Sequence, residues 1–341
     1  MPTQDFFHRF IYALADIHKS LDLNATEEAV TRNAALMFGA RGASLMLFDP
    51  TGENLVVSAT FGLSDAYRAK GAISPRKSLG ETIKGGPVVV RDVQTDPNVQ
   101  YREAAFNEGI KGIVGVPLAA GTVMVGSLRL YFAQSTDFSP EEMEYLKFMA
   151  QHAGLALKKA FFFTSMRDSA SEIHSMPTMD SLKDALKTLC QSAARYGHAL
   201  GCALLLVSQE HNTLGSVISF GLSERYLAKG PLSVGLSLGE VATGKPVVIS
   251  SVANDPRVQY KKEAAAENVK AIIGLPVRAG NEVAGALRLY YPYEFEPDQD
   301  DVMWMEYLAL QAGMALEKNR YLIQLKDKHD WYVEVLRDLE R

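Results

Sequence analysis

Arg129 and Arg288 carry the most specific chemical signal in this chain. Each sits inside an L-R-L-Y run whose apolar flanks read as a strand. A strand covered on both faces rarely holds an unpaired charge. A guanidinium there is therefore suited to gripping a carboxylate or a phosphate. The competing reading is an arginine that snorkels out at a strand end or pairs with a carboxylate of the chain itself. Tyr67 and Tyr226, with Tyr101 and Tyr260, add aromatic bodies with hydroxyl tips, fit either for ligand contact or for packing as a lid on a sheet. Asp92 is a loop carboxylate whose counterpart is Ser251, so the two copies would prefer different ligands if it faced the site. Phe61 and Phe220 complete the candidate set. Asp96 and Asp255 each precede proline and read as helix caps.

These residues come in pairs because the chain is duplicated. Residues 61–132 align with 220–291 at a constant offset of 159, without a gap, and 36 of the 72 positions are identical. FGLSDAYRAKG answers to FGLSERYLAKG, SLGETIKGGPVVV to SLGEVATGKPVVI, and GSLRLYF to GALRLYY. A period this long marks domain duplication rather than a solenoid. The 341 residues also suggest two domains, read as 1–160 and 161–341.

The elements that must position the candidates follow from spacing. Phe6, Phe10, Leu14, Ile17 and Leu21 predict an amphipathic helix over 5–22. Thr26 caps a second helix. Ser44–Phe48 and Leu55–Phe61 read as a hairpin joined by Asp49-Pro50-Thr51-Gly52. Ser64 and Ser223 cap short helices. The capping boxes Ser78–Glu81 and Ser237–Glu240 open one-turn helices, each followed by a Pro-Val-Val strand. Asp96-Pro97 opens a helix through about Glu108. Ile113–Leu118 and Val123–Phe132 form a second hairpin, and the Ser139–Glu142 capping box launches a long helix with an interruption at Ser169–Thr178. The predicted class is α+β: in each copy a central antiparallel sheet, terminal helices on one face, and short helices and loops covering a pocket on the other.

The quoted runs resemble GAF domains, the small-molecule-binding modules of signalling proteins, over nearly all of both halves. The resemblance implies that fold and a ligand pocket. It also allows subfamilies to be compared. Bilin-binding members present a cysteine, usually beside a histidine, in the mid-domain loops; 92–111 and 251–270 hold neither. The Asn-Lys-Phe-Asp-Glu motif of cyclic-nucleotide binders is absent from both copies. Members that reduce methionine sulfoxide need several pocket cysteines, whereas the first copy has none. No histidine sits where both copies could use it for haem. No cofactor is assigned.

Other classes are disfavoured. The formal charge of −5 gives no basic face for nucleic acid and no polybasic membrane anchor. No run approaches a membrane span, and a leader peptide is not evident, so a cytoplasmic location is expected. Cys190 and Cys202 are too few for a disulfide framework or a zinc site and read as small buried hydrophobes. His152 and His174 read as filler. H-x-x-x-H, Walker A and H-E-x-x-H patterns do not occur.

The last helix is expected from about Asp298 to Leu339. Leu308, Ala312, Ala315, Asn319 and Leu322 step by 4, 3, 4, 3, and Leu325 to Leu339 repeat that pattern after a phase change. This predicts either a short parallel coiled coil or a helix folded back on its own domain. The expectation is a non-enzymatic regulator that binds a small molecule in one or both pockets, dimerises through helices and signals to a protein partner. The alternatives are a dimeric scaffold with filled pockets and a thiol-dependent reductase.

Overall fold

The computed structural model describes residues 4–49, 54–74, 86–120, 123–175, 181–208, 213–230, 232–233, 241 and 244–339. The capping boxes Ser78–Glu81 and Ser237–Glu240 and the tips of the predicted hairpin turns lie outside the described residues. The chain divides into two compact units, Met1–Thr164 and Ser165–Arg341.

Unit one contains α1 (Gln4–Ile17), α2 (Leu23–Met37), β1 (Gly42–Phe48), β2 (Leu55–Phe61), α3 (Asp65–Arg68), β3 (Val88–Val90), α4 (Arg102–Asn107), β4 (Gly112–Ala120) and β5 (Val123–Phe132), then most of α5 (Pro140–Ser175). Unit two takes the last turns of α5 and then α6 (Ser181–Tyr196), β6 (Gly201–Ser208), β7 (Thr213–Phe220), α7 (Glu224–Leu227), β8 (Leu232–Ser233), β9 (Val247–Ile249), α8 (Lys261–Ala266), β10 (Ala271–Ala279), β11 (Glu282–Tyr291) and α9 (Gln299–Leu339). The first sheet runs β2-β1-β5-β4-β3 and the second β8-β7-β6-β11-β10-β9, with every pairing antiparallel. The extra strand β8 has its counterpart in unit one as the single bridge between Leu55 and Ile73.

In unit one, Ala43, Leu45, Val114, Val116, Leu128 and Leu130 are buried on one face of the sheet. Against that face lie α2 and α5, whose Gly154 touches the β4–β5 hairpin. A Cβ on Gly154 would stand 1.7 Å from the Ala119 carbonyl oxygen, and one on Gly313 of α9 would stand 1.9 Å from that of Arg278. Glycine is therefore what lets each long helix seat on its hairpin. The reciprocal Ser139–Glu142 cap starts α5: Ser139 N donates to Glu142, and Glu142 N donates to Ser139 Oγ at 3.2 Å. His18 Nε2 lies 3.0 Å from His152 Nδ1, so His152 has a specific partner and is more than filler. Trp304 of α9 is fully buried.

Several local expectations need correction. The helix predicted over 5–22 ends at Ile17, because Asp22 is needed as the next cap. Asp22 Oδ1 accepts from Ala25 N at 2.9 Å, while Thr26, the expected cap, lies inside α2 and returns its hydroxyl to Asp22 O at 2.8 Å. Asp96 does not open a helix. Its Oδ1 accepts from Asn98 N at 2.8 Å, which makes an Asx turn, and α4 begins at Arg102. The interruption expected from Ser169 does not occur there, because α5 continues to Ser175. Ser169 is buried and bonds within the helix, to Ser165 O at 2.7 Å. In α9, Leu308, Ala312 and Ala315 are fully buried and the helix packs on β10. The first of the two heptad-like segments therefore folds back on its own domain.

Candidate functional site

The opposite face of each sheet holds the polar residues. In β5, Ser127, Arg129 and Tyr131 alternate onto that face, and Ser44 of β1 is the cross-strand partner of Arg129. Gly115 of β4 is its other neighbour and adds no side chain there. Tyr67 of α3 and Val93, Val99, Ala105 and Ile110 around α4 pack over Val88, Val90, Ile113 and Tyr131. The arginine is thus roofed by α3, capped by Ser64, and by the segment around α4.

Arg129 is 2% exposed. Its Nε donates to Ser127 Oγ at 3.4 Å, and it hydrogen-bonds Tyr131. Its Nη2 is buried and finds no hydrogen-bond partner among the described residues. Burial weakens its hold on its proton, and the groups that oppose this are Tyr131 and Tyr67; no carboxylate acts on it among the described residues. The Tyr131 hydroxyl lies 2.8 Å from Ser44 Oγ, and the Tyr67 and Tyr131 rings meet edge to face at 5.6 Å. Burial holds the Tyr67 phenol far above its usual range.

A second cation stands beside the first. Lys70 Nζ lies 3.5 Å above the Tyr67 ring and donates to Tyr67 O at 3.4 Å. Burial first, and the positive charge of Arg129 second, bring its pKa down to about 8. Glu108, at the end of α4, fastens the roof: it accepts from Ser64 N at 2.8 Å and from Ser64 Oγ, joining α4 to the start of α3. Removing that carboxylate in Glu108→Ala is expected to leave the sheet folded but raise hydrogen exchange selectively at the amides of α3. Uniform exchange across unit one would contradict the clamp.

Unit two repeats the arrangement. Arg288 is 3% exposed and hydrogen-bonds Tyr290. The Tyr226 and Tyr290 rings meet at 5.7 Å. Lys229 Nζ lies 3.7 Å above the Tyr226 ring and donates to Tyr226 O at 3.0 Å. Burial, followed by Arg288, also lowers its pKa to about 8. Glu267 accepts from Ser223 N at 2.6 Å.

The structure brings Arg129 and Tyr67 together, and Arg288 and Tyr226. Phe61 and Phe220 are elsewhere. They pair with Ala43 and Cys202, which pair with Leu130 and Leu289. The pleat therefore turns them to the helix-covered face, and Thr60 and Ser219 take the arginine's side. Asp92 is held by its own turn, accepting from Gln94 N at 2.9 Å, and Ser251 instead donates to Glu294 Oε1 at 2.6 Å. Tyr101 precedes the first turn of α4 and is not within it. Its hydroxyl donates to Ala72 O at 2.9 Å, and it packs against the cluster of Met46, Leu55 and Ile73. Tyr260 precedes α8 in the same way. Spacing alone missed Lys70, Lys229, Tyr131, Tyr290, Glu108 and Glu267, yet the 159-residue offset pairs every one of them identically. Cys190 and Cys202 are buried, free and hydrogen-bonded to each other, and burial pushes the Cys202 thiol up.

The model of the GAF domain family matches residues 20–158 and again 180–317. The chain belongs to the GAF family. GAF domains generally mediate small-molecule sensing and signalling. Each of the two GAF domains here carries the arginine–lysine–tyrosine arrangement on the roofed face of its sheet. No curated protein matches the sequence. Among solved structures, the chain is similar to the GAF domain of a phosphoenolpyruvate-protein phosphotransferase from Coxiella burnetii, at 19% identity and a TM-score of 0.42, covering 47% of this chain and 95% of that one. It is similar to free methionine-R-sulfoxide reductase from Neisseria meningitidis, at 18% identity and a TM-score of 0.40, covering 47% and 94%. It is also similar to the bacteriophytochrome RpBphP3 from R. palustris, at 13% identity and a TM-score of 0.42, covering 85% and 63%.

Proposed function

We propose that the protein is a binding module and not an enzyme, and that each GAF domain takes a small organic anion between its buried arginine and the lysine of its roof. The observation that carries this is Arg129: a guanidinium buried in a sheet, opposed by no carboxylate and with an unpartnered Nη2 among the described residues. A charge so placed costs several kcal/mol unless something answers it. A carboxylate or phosphate would bind both Arg129 and Lys70 by charge-assisted hydrogen bonds. The thiol-reductase reading gains no support from two buried cysteines, because a thiol raised by burial is a poor nucleophile. Occupancy would be passed to a partner protein through the long helices in a cytoplasmic homodimer. An exposed stripe on α9, Met303, Leu310, Met314 and Tyr321, is the face we assign to a second copy. No helix among the described residues is long and apolar enough to cross a membrane.

The test is native mass spectrometry of the purified protein followed by a thermal-shift screen of carboxylates and phosphate esters. A ligand at 100-fold its Kd adds about 2.7 kcal/mol. Co-purified mass or an anion-dependent shift supports the reading; neither from any anion favours the scaffold with filled pockets. The screen carries an internal check in pH. The lysines hold their protons below about 8 and lose them above it, so anion affinity is expected to be flat from neutral pH to about 8 and to fall as pH rises further. Affinity that ignores pH across that window would remove the lysines from the site.

A further inference from the structure

The two sites share their cations, tyrosines and roof clamps but differ in the sheet beneath them. Ser44 and Ser127, both buried around Arg129, are replaced at the same offset by Ala203 and Ala286, both buried around Arg288. Among the described residues the hydroxyls of Ser44, Ser127, Tyr131 and Tyr67 lie around Arg129, and each carries one proton to donate. The 2.8 Å bond between Ser44 and Tyr131 uses one of these protons, and the bond between Tyr67 and Tyr131 uses another. Ser127 accepts from Arg129 and keeps its own proton. Two hydroxyl protons thus remain around Arg129. Around Arg288, among the described residues, the Tyr290 hydroxyl accepts from the arginine and the Tyr226 ring meets that of Tyr290, while two methyl groups occupy the serine positions.

We infer that the two GAF domains select different anions: the first a phosphate monoester, whose several terminal oxygens match the guanidinium and two further donors, and the second a monocarboxylate with an apolar body, which needs fewer donors and packs on the alanines. This rests on the anion reading above. A polar group left facing a methyl lowers affinity sharply, so Ser44 and Ser127 determine specificity while the arginines provide the shared grip.

The experiment uses the full chain with one site silenced at a time: Arg288→Met to leave the first site and Arg129→Met to leave the second. Each protein is titrated by calorimetry with glycerol phosphate and with butyrate. The R288M protein is expected to favour glycerol phosphate, and the R129M protein butyrate, each by about tenfold. Adding Ser44→Ala and Ser127→Ala to R288M should erase its preference. The gain-of-function pair Ala203→Ser and Ala286→Ser in R129M should shift its preference toward the phosphate, and that arm stands even if the serine deletions fail to fold. Identical ranking of the two probes by both single-site proteins overturns the assignment while arginine-dependent binding still upholds the anion reading. No binding of either probe to the unmodified chain overturns both.

Discussion

Gly154→Ala is expected to destabilise the first GAF domain by up to about 2 kcal/mol, lowering its melting temperature by up to roughly 4–8 °C. The helix itself favours alanine by about 1 kcal/mol, so the sign depends on what the new methyl meets. It meets the Ala119 carbonyl oxygen at 1.7 Å, and that oxygen is backbone in a paired hairpin, with no flexible side chain to swing away. The strain of overpacking, about 1–3 kcal/mol and occasionally more, therefore outweighs the helical gain. Gly313→Ala should do the same to the second domain through Arg278. Scanning calorimetry of each single variant decides the matter. An unchanged or raised transition would show that helix and hairpin separate at no cost.

Arg129→Met should have effects of opposite sign on the free and the loaded protein. Replacing a buried ion that no carboxylate answers among the described residues by an apolar side chain of similar length removes a desolvation cost of several kcal/mol and forgoes its hydrogen bonds to Ser127 and Tyr131, each worth about 1–3 kcal/mol. The ligand-free first domain should thus melt at the same temperature or higher. Its response to a saturating anion, about 2.7 kcal/mol at 100-fold Kd, should disappear, which is a loss of roughly 5–11 °C of ligand-induced shift. If R129M instead unfolds the free domain, the guanidinium is satisfied within the protein and its role is structural.

Much of this was legible in the residues, for identifiable reasons. A charge in the middle of an apolar strand is conspicuous wherever the fold places it, so Arg129 and Arg288 could be singled out. The repeat fixed the strand order of one copy by that of the other. Facing was harder to read. β1 is buried on both sides over most of its length, so it shows no alternation from which to tell which partner of Phe61 looks inward. Asp96 shows a different limit, because a carboxylate before proline serves an Asx turn as well as a helix cap. Lys70 looks like an ordinary surface lysine at the end of a short helix, and its importance comes from tertiary proximity to Arg129. Position 109 shows what duplication can reveal. Gly109 has φ +71° and its counterpart Asn268 has φ +60°; asparagine is among the few residues that tolerate this conformation. The pair thus marks a left-handed turn after α4 and α8.

The burial of Trp304 also affects how the protein can be observed. The chain has two tryptophans, Trp304 and Trp331, and both lie on α9 in the second domain. Emission excited at the red edge of the indole band therefore follows the second domain alone, while tyrosine signals, including those of the Tyr67–Tyr131 and Tyr226–Tyr290 pairs, come from both. Unfolding followed at the two wavelengths separates the domains spectrally within one unlabelled polypeptide. A change confined to Gly154 or Arg129 should then shift the tyrosine trace while the tryptophan trace stays in place.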